Sequence, residues 1–211
     1  MYRYTFDSIH MLNTGLLLIA TLLVYSFETS FFLPINAGGR TSVNAIVLTD
    51  IGEFGLMRKE RPGIPAHYHT GIDIKRPTRN YFDEPIFPVK DGLVISKRTD
   101  GPYAQLIIEH QDGRGKFWTL YEHIAGIEVE LHQPVSPDRP IARFMNKMEL
   151  NKYGWQFDHF HFEVLKTRPL ALKPDSTKPE RYFYSYTLTC YTRDDLRKHF
   201  HHPMEFLKER L

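Results

Sequence analysis

The chain has 211 residues, 42% hydrophobic and 25% charged, long enough for one well-buried domain with extensions and too short to make two domains the default. A formal charge of +2 and a pI near 8.5 are only mildly basic, and no cluster of Lys and Arg reaches a nucleic-acid footprint. The lone cysteine, Cys190, excludes an intrachain disulfide and a Cys-x-x-Cys zinc site, and it lies too far along the chain for N-terminal lipid attachment.

Residues 1–29 carry a strongly apolar run over 15–25, with Arg3 as the one firm positive charge before it. A cleaved signal peptide and an uncleaved N-terminal membrane anchor both fit this run, and either sends the rest of the chain across a membrane; a buried core helix is the third alternative. Residues 30–45, with Pro34, Asn36, Gly38 and Gly39, read as a linker. From Ile46 the pattern changes to short apolar runs broken by turn residues. Strands are expected over 46–48, 72–74, 86–89, 92–95, 104–109, 116–121, 127–129, 141–144 and 160–164. Their close spacing, without long helical periods between them, predicts an all-β domain over 46–167, an antiparallel sandwich or barrel. Beyond it, residues 168–211 begin proline-rich, continue with one more alternating strand over 181–190, and end in helices. Thr192 with Asp195 resembles a capping box, and Pro203 suits the first position of the last helix. This part is expected to pack on the domain as a cap over a sheet edge.

The chemistry concentrates around His159 and His161. Residues two apart on a strand leave the same face, so both imidazoles and Glu163 point into one space, while Phe160, Phe162 and Val164 face a core. Two imidazoles buried side by side each need a hydrogen-bond partner or a metal. A second cluster holds His69 and Asp73. Gly71 and the β-branched neighbours argue against a helix, so His69 is read on a loop and Asp73 on the strand it feeds, between inward-facing Ile72 and Ile74. An aspartate so placed is costly unless a positive charge meets it, and two imidazoles with one carboxylate are a normal catalytic zinc set. A third element carries Thr119, Tyr121 and His123 at period-two spacing. The sequence has no His-Glu-x-x-His, no Gly-x-Ser-x-Gly and no phosphate loop, so proton handling would fall to the spare histidines.

Taken together these elements resemble the lysostaphin/LytM family of zinc metalloendopeptidases, which cut peptides of the bacterial cell wall. The pattern stands here as His69 and Asp73, then Pro88 and Val89, Asp91, Gly92 and Val94, Tyr121 and His123, and finally His159, His161, Phe162 and Glu163. It runs in family order from about residue 50 to 165, with Phe54, Gly55 and Arg58 similar to the family's approach to its first ligand. The resemblance implies the family's duplicated-hybrid-motif β-fold and one zinc per chain held by His69, Asp73 and His161. His123 and His159 would face a zinc-activated water and the scissile carbonyl, with the choice of general base between them left open. It implies hydrolysis of peptidoglycan cross-links at the cell envelope, periplasmic or extracellular, with a membrane partner only through an uncleaved leader, no nucleic acid and an unassigned oligomeric state. Glu163, Tyr121 and Trp155 are candidates for a place behind the ligands or along the substrate groove.

Residues 148–157 stand where the family has a glycine-rich turn, and Asp158 where proline is common; these departures bear on peptide specificity. His67, His110 and His132 read as structural or solvated, His199, His201 and His202 as a helix-end cluster, and Trp118 as core. Two rivals accompany the peptidase reading. One is a catalytically silent family member that binds cell wall or activates another hydrolase; the other is a β-sandwich carrier or sugar-binding module, which leaves the histidine and aspartate pattern unexplained.

Overall fold

The computed structural model describes residues 30–211. The apolar run over 15–25, and the signal peptide or anchor expected there, lie outside the described residues. Among the described residues no helix is long and apolar enough to cross a membrane.

Short strands open the chain: β1 (Met57–Arg58), β2 (His67–Tyr68), β3 (Ile72–Lys75), β4 (Pro85–Ile86) and β5 (Gly92–Arg98). Then come β6 (Gln105–Asp112), β7 (Gly115–Glu122), β8 (Ile124–Ala125), β9 (Pro134–Val135) and β10 (Ala142–Phe144). Helix α1 (Lys147–Tyr153) precedes β11 (His159–Leu165). The C-terminal part holds β12 (Leu170–Ala171), β13 (Phe183–Tyr184), α2 (Arg193–His199), β14 (Phe200–His201) and α3 (Pro203–Lys208). All strand pairings are antiparallel, as the sequence predicts.

The main sheet runs β14-β11-β7-β6-β5-β9, with β3 also paired to β11. Strand β11 is its hinge: β7 lines one edge, and β3 and then β14 share the other. A smaller sheet, β4-β10-β8, packs opposite. Alternation along the long strands therefore feeds two cores. One face of the main sheet, with Phe160, Phe162, Val164, Tyr121 and Leu106, forms the larger core with Ile86 and Phe144 of the small sheet. The other face, with Ile107, Trp118, Leu120 and Leu165, is covered by Cys190, Leu196 and Phe200 of the C-terminal part. His159, His161 and Glu163 belong to this second face by register.

Several expectations need correction. Residues 30–45 are not a loose linker, because Phe31, Leu33 and Ile35 alternate inward and are buried in the larger core, and Ile35 bridges to Ile86. Residues 46–48 contribute only a bridge from Leu48 to Ile74, and a 3-10 turn occupies Val43–Ala45. The strand expected over 127–129 forms instead at Ile124–Ala125. Residues 181–190 pair only at β13, because a 3-10 turn at Thr187–Thr189 follows. The stretch before β11 is helical, started by a capping box between Asn146 and Glu149. Both C-terminal helices form where their caps indicate: Thr192 and Asp195 make a reciprocal box on α2, and Pro203 opens α3.

Candidate functional site

Pairing of β3 with β11 sets Asp73 opposite His161, and the turn before β3 brings His69 alongside. His69 Nε2 lies 3.1 Å from Asp73 Oδ1 and 3.0 Å from His161 Nδ1, and His161 Nδ1 lies 2.9 Å from Asp73 Oδ1. All three side chains are buried. Gly71 is what lets this turn sit so close: a Cβ there would stand 2.3 Å from the Phe162 carbonyl oxygen and 2.8 Å from the His161 ring.

Each donor is held by a partner on its far side. His69 Nδ1 donates to the Glu53 carbonyl at 2.8 Å, which leaves Nε2 with its lone pair towards Asp73 and His161. Arg58 takes the outer oxygen of Asp73 at 2.7 Å and leaves Oδ1 for the centre. His161 Nε2 meets Glu163 Oε1 at 3.0 Å, which turns Nδ1 inward. Burial works against a charged His161, but Asp73 and Glu163 outweigh it and raise its pKa to about 10. Burial also opposes an ionised Asp73, yet hydrogen bonds from His161 and His69 hold it far below the usual carboxylate range. The same two carboxylates that hold a proton on His161 attract a divalent cation. Zinc bound at about 2.0–2.2 Å by two imidazoles and a carboxylate spaces its donors about 3.3 Å apart, close to what is found here. His69, Asp73 and His161 are also the group among the described residues whose ligand atoms converge as a metal site requires. The residues fit the metal.

Two further imidazoles border the cluster. His159 Nε2 lies 3.9 Å from Asp73 Oδ1, and the His123 ring stands 5.2 Å from that of His159. Period-two counting would put His123 on the face of Tyr121, but β7 ends at Glu122 and His123 has φ +62°. That left-handed backbone, strained for a residue with a side chain, swings the imidazole to the site. His123 Nδ1 donates to the Pro102 carbonyl at 2.6 Å, so Nε2 carries the lone pair. Burial lowers both His123 and His159 to about 4. The His123 ring packs against Tyr103 and Phe157.

The other candidates divide. Glu163 is fully buried and sits behind His161. Tyr121 is not a groove residue: it is fully buried in the larger core, and its hydroxyl accepts from Val89 N–H at 3.2 Å. Trp155 is half exposed, edge-on to Tyr81 at 5.7 Å, with no contact to the ligand set. His67 and His110 are buried by structural bonds, to the Pro65 carbonyl and to the Asp91 carbonyl with the Thr119 hydroxyl respectively. His199 stacks on Tyr186 at 3.9 Å. Trp118 lies in the second core. Sequence reasoning gave no role to Arg58, Thr70, Ser185 or Thr187. Arg58 was legible as part of the approach to His69, whereas a serine and a threonine about twenty residues beyond Glu163 carried no signal.

The sequence model of peptidase family M23 matches residues 67–174, just over half of the chain. Among solved structures, a zinc-containing peptidase from Vibrio cholerae is similar at 27% identity over 65% of this chain and 37% of that one, with a TM-score of 0.43. The chain thus spans little more than a third of that protein. The SpoIIQ–SpoIIIAH pore-forming complex is similar at 16% identity over 65% of this chain and 84% of that one, with a TM-score of 0.44. A Pseudomonas aeruginosa protein assigned to peptidase M23 follows at 19% identity, 63% and 48% coverage, and a TM-score of 0.31. No match to a curated protein was found. The matched span contains the three converging donors and both neighbouring imidazoles, and the chain belongs to peptidase family M23.

Proposed function

We propose that the chain is a zinc-dependent endopeptidase that hydrolyses peptide cross-links of bacterial cell-wall peptidoglycan. The observation that carries this reading is the convergence of His69 Nε2, Asp73 Oδ1 and His161 Nδ1 to within 3.1 Å of one another, beside two more imidazoles. When bound, zinc supplies a Lewis acid for a carbonyl oxygen and eases the ionisation of water near neutral pH. His69 and His161 offer lone pairs fixed by Glu53 and Glu163, and Asp73 offers the one oxygen that Arg58 leaves open. His123, neutral and with Nδ1 committed to Pro102 so that Nε2 is its acceptor, is placed to take a proton and return it to a leaving amine. His159 borders the same space and serves as a hydrogen-bond donor to the developing oxyanion. The work is placed at the cell envelope, in keeping with the apolar run over 15–25 and with the substrate.

The test is purified protein lacking its first 29 residues, assayed for zinc and for digestion of purified peptidoglycan, with released peptides identified by mass spectrometry. About one zinc per chain, lost in His161→Ala, together with new peptide ends is the expected result. Folded protein without zinc would overturn the proposal. Zinc without cleavage would favour the silent family member that binds wall or activates a second enzyme.

A further inference from the structure

Glu163 is a carboxylate with no exposure at all, on the sheet face covered by the C-terminal part of the chain. Such a group is expensive unless its lone pairs are met. Four donors meet it. Thr70 Oγ1 lies 2.5 Å and Thr187 Oγ1 2.6 Å from Oε1, His161 Nε2 lies 3.0 Å from the same oxygen, and Ser185 Oγ lies 2.5 Å from Oε2. The three hydroxyls are 3.0 Å from one another along the chain Thr70, Thr187, Ser185, farther than each lies from the carboxylate. Their single protons therefore go to Glu163 rather than to each other. A carboxylate that receives three hydroxyl protons is ionised, so its fourth partner, His161 Nε2, must donate. That proton on Nε2 leaves Nδ1 as the atom directed at His69 and Asp73.

Ser185 and Thr187 lie beyond the family match, which ends at residue 174. They are nonetheless fixed to the catalytic face at both ends of their segment. Ser96 Oγ accepts from the N–H groups of Tyr182 and Phe183, each at 3.1 Å, and Tyr68 N–H donates to the Cys190 carbonyl at 2.9 Å, one residue before His69. Cys190 is itself fully buried in the second core. A segment meant only to cover an apolar sheet face would place apolar side chains over position 163, not two hydroxyls on one carboxylate.

We infer that residues 183–190 are a working part of the metal centre: Ser185 and Thr187 are positioning residues that lock Glu163, and through it hold His161 with Nδ1 turned to the metal. This rests on the zinc reading proposed above. Carboxylates behind metal-bound histidines typically contribute about 10–100-fold in metal affinity, so removing their anchors is expected to cost a substantial share of that.

The experiment compares the protein with Ser185→Ala/Thr187→Val, with Ser185→Ala alone, and with Thr187→Ser, which keeps the hydroxyl. Zinc Kd is measured by chelator competition, and the His161 Nε2–H proton is followed by nitrogen-correlated imidazole NMR. The double variant should bind zinc about 10-fold more weakly, with the Nε2 proton moved upfield as its acceptor loosens, and Thr187→Ser should keep both at their wild-type values. Ser185→Ala removes what is, among the described residues, the one donor to Oε2 and should give a smaller change in the same direction; it decides the question if the double variant does not fold. Wild-type zinc binding with unchanged Kd and unchanged Nε2 proton in the folded variants would overturn the inference and leave the zinc reading intact. No zinc on the wild type would overturn both.

Discussion

His123 offers the sharpest test of how the site handles protons. Its Nδ1–H is committed to the Pro102 carbonyl, and burial lowers its pKa from the ordinary 6.5 to about 4. At pH 5 an imidazole with a midpoint of about 4 is about nine-tenths neutral, whereas one at 6.5 is only about 3% neutral, a difference of about 30-fold in available base. A cation in the cluster repels a second positive charge and pushes the same way. The acid limb of kcat/KM should therefore lie at or below about pH 4 to 5, with activity falling as pH drops through it. The profile is to be recorded at saturating zinc with bound zinc measured at each pH, since loss of the metal would mimic the limb. His123→Asn keeps a donor for Pro102 but cannot accept a proton. It should lower kcat/KM by about 10²–10⁴-fold, about 3–5 kcal/mol, with zinc retained. A limb near 6.5 with zinc still bound, or a variant within about tenfold of wild type, would refute the assignment.

Stability should respond to His110, which is fully buried and lowered to about 4 by burial. The unfolded chain takes up that proton near 6.5 and the folded one resists it, so the His110 contribution to stability is full above 6.5 and is lost between 6.5 and 4, about 3 kcal/mol in all. Urea unfolding of metal-free protein should show this drop, and His110→Gln should flatten it by about that amount. Gly71→Ala should destabilise by about 3 kcal/mol or more and abolish zinc binding, because its Cβ meets the Phe162 carbonyl and the His161 ring; melting and zinc titration decide it. Tyr121→Phe should cost about 1–3 kcal/mol by leaving the buried Val89 N–H without its acceptor, yet leave zinc Kd unchanged. A shifted zinc Kd there would return Tyr121 to the site.

Much of the site was legible because a strand's faces are a local property. Period two alone separates Phe160, Phe162 and Val164 from His159, His161 and Glu163, and the structure puts the first three in the larger core. Asp73 between Ile72 and Ile74 is equally plain, since both isoleucines are fully buried. The rule failed at His123, where it assumes extended backbone and the residue has φ +62°. It failed again at residues 30–45, where proline and glycine suggested a linker while Phe31, Leu33 and Ile35 were alternating into the core.

Sequence by itself determined the strand-rich antiparallel character, the caps of the last two helices, and the residue types brought forward for metal chemistry. These depend on backbone period, capping and side-chain chemistry, all of which act over a few residues. The tertiary structure alone decided what stands behind each of those residues: Glu53 at His69, Arg58 at Asp73, Pro102 at His123, and Glu163 with Ser185 and Thr187 at His161. Those partners lie 2 to 24 residues from the groups they hold. Only strand register and the folding back of the C-terminal part fix whether their atoms come within hydrogen-bond reach.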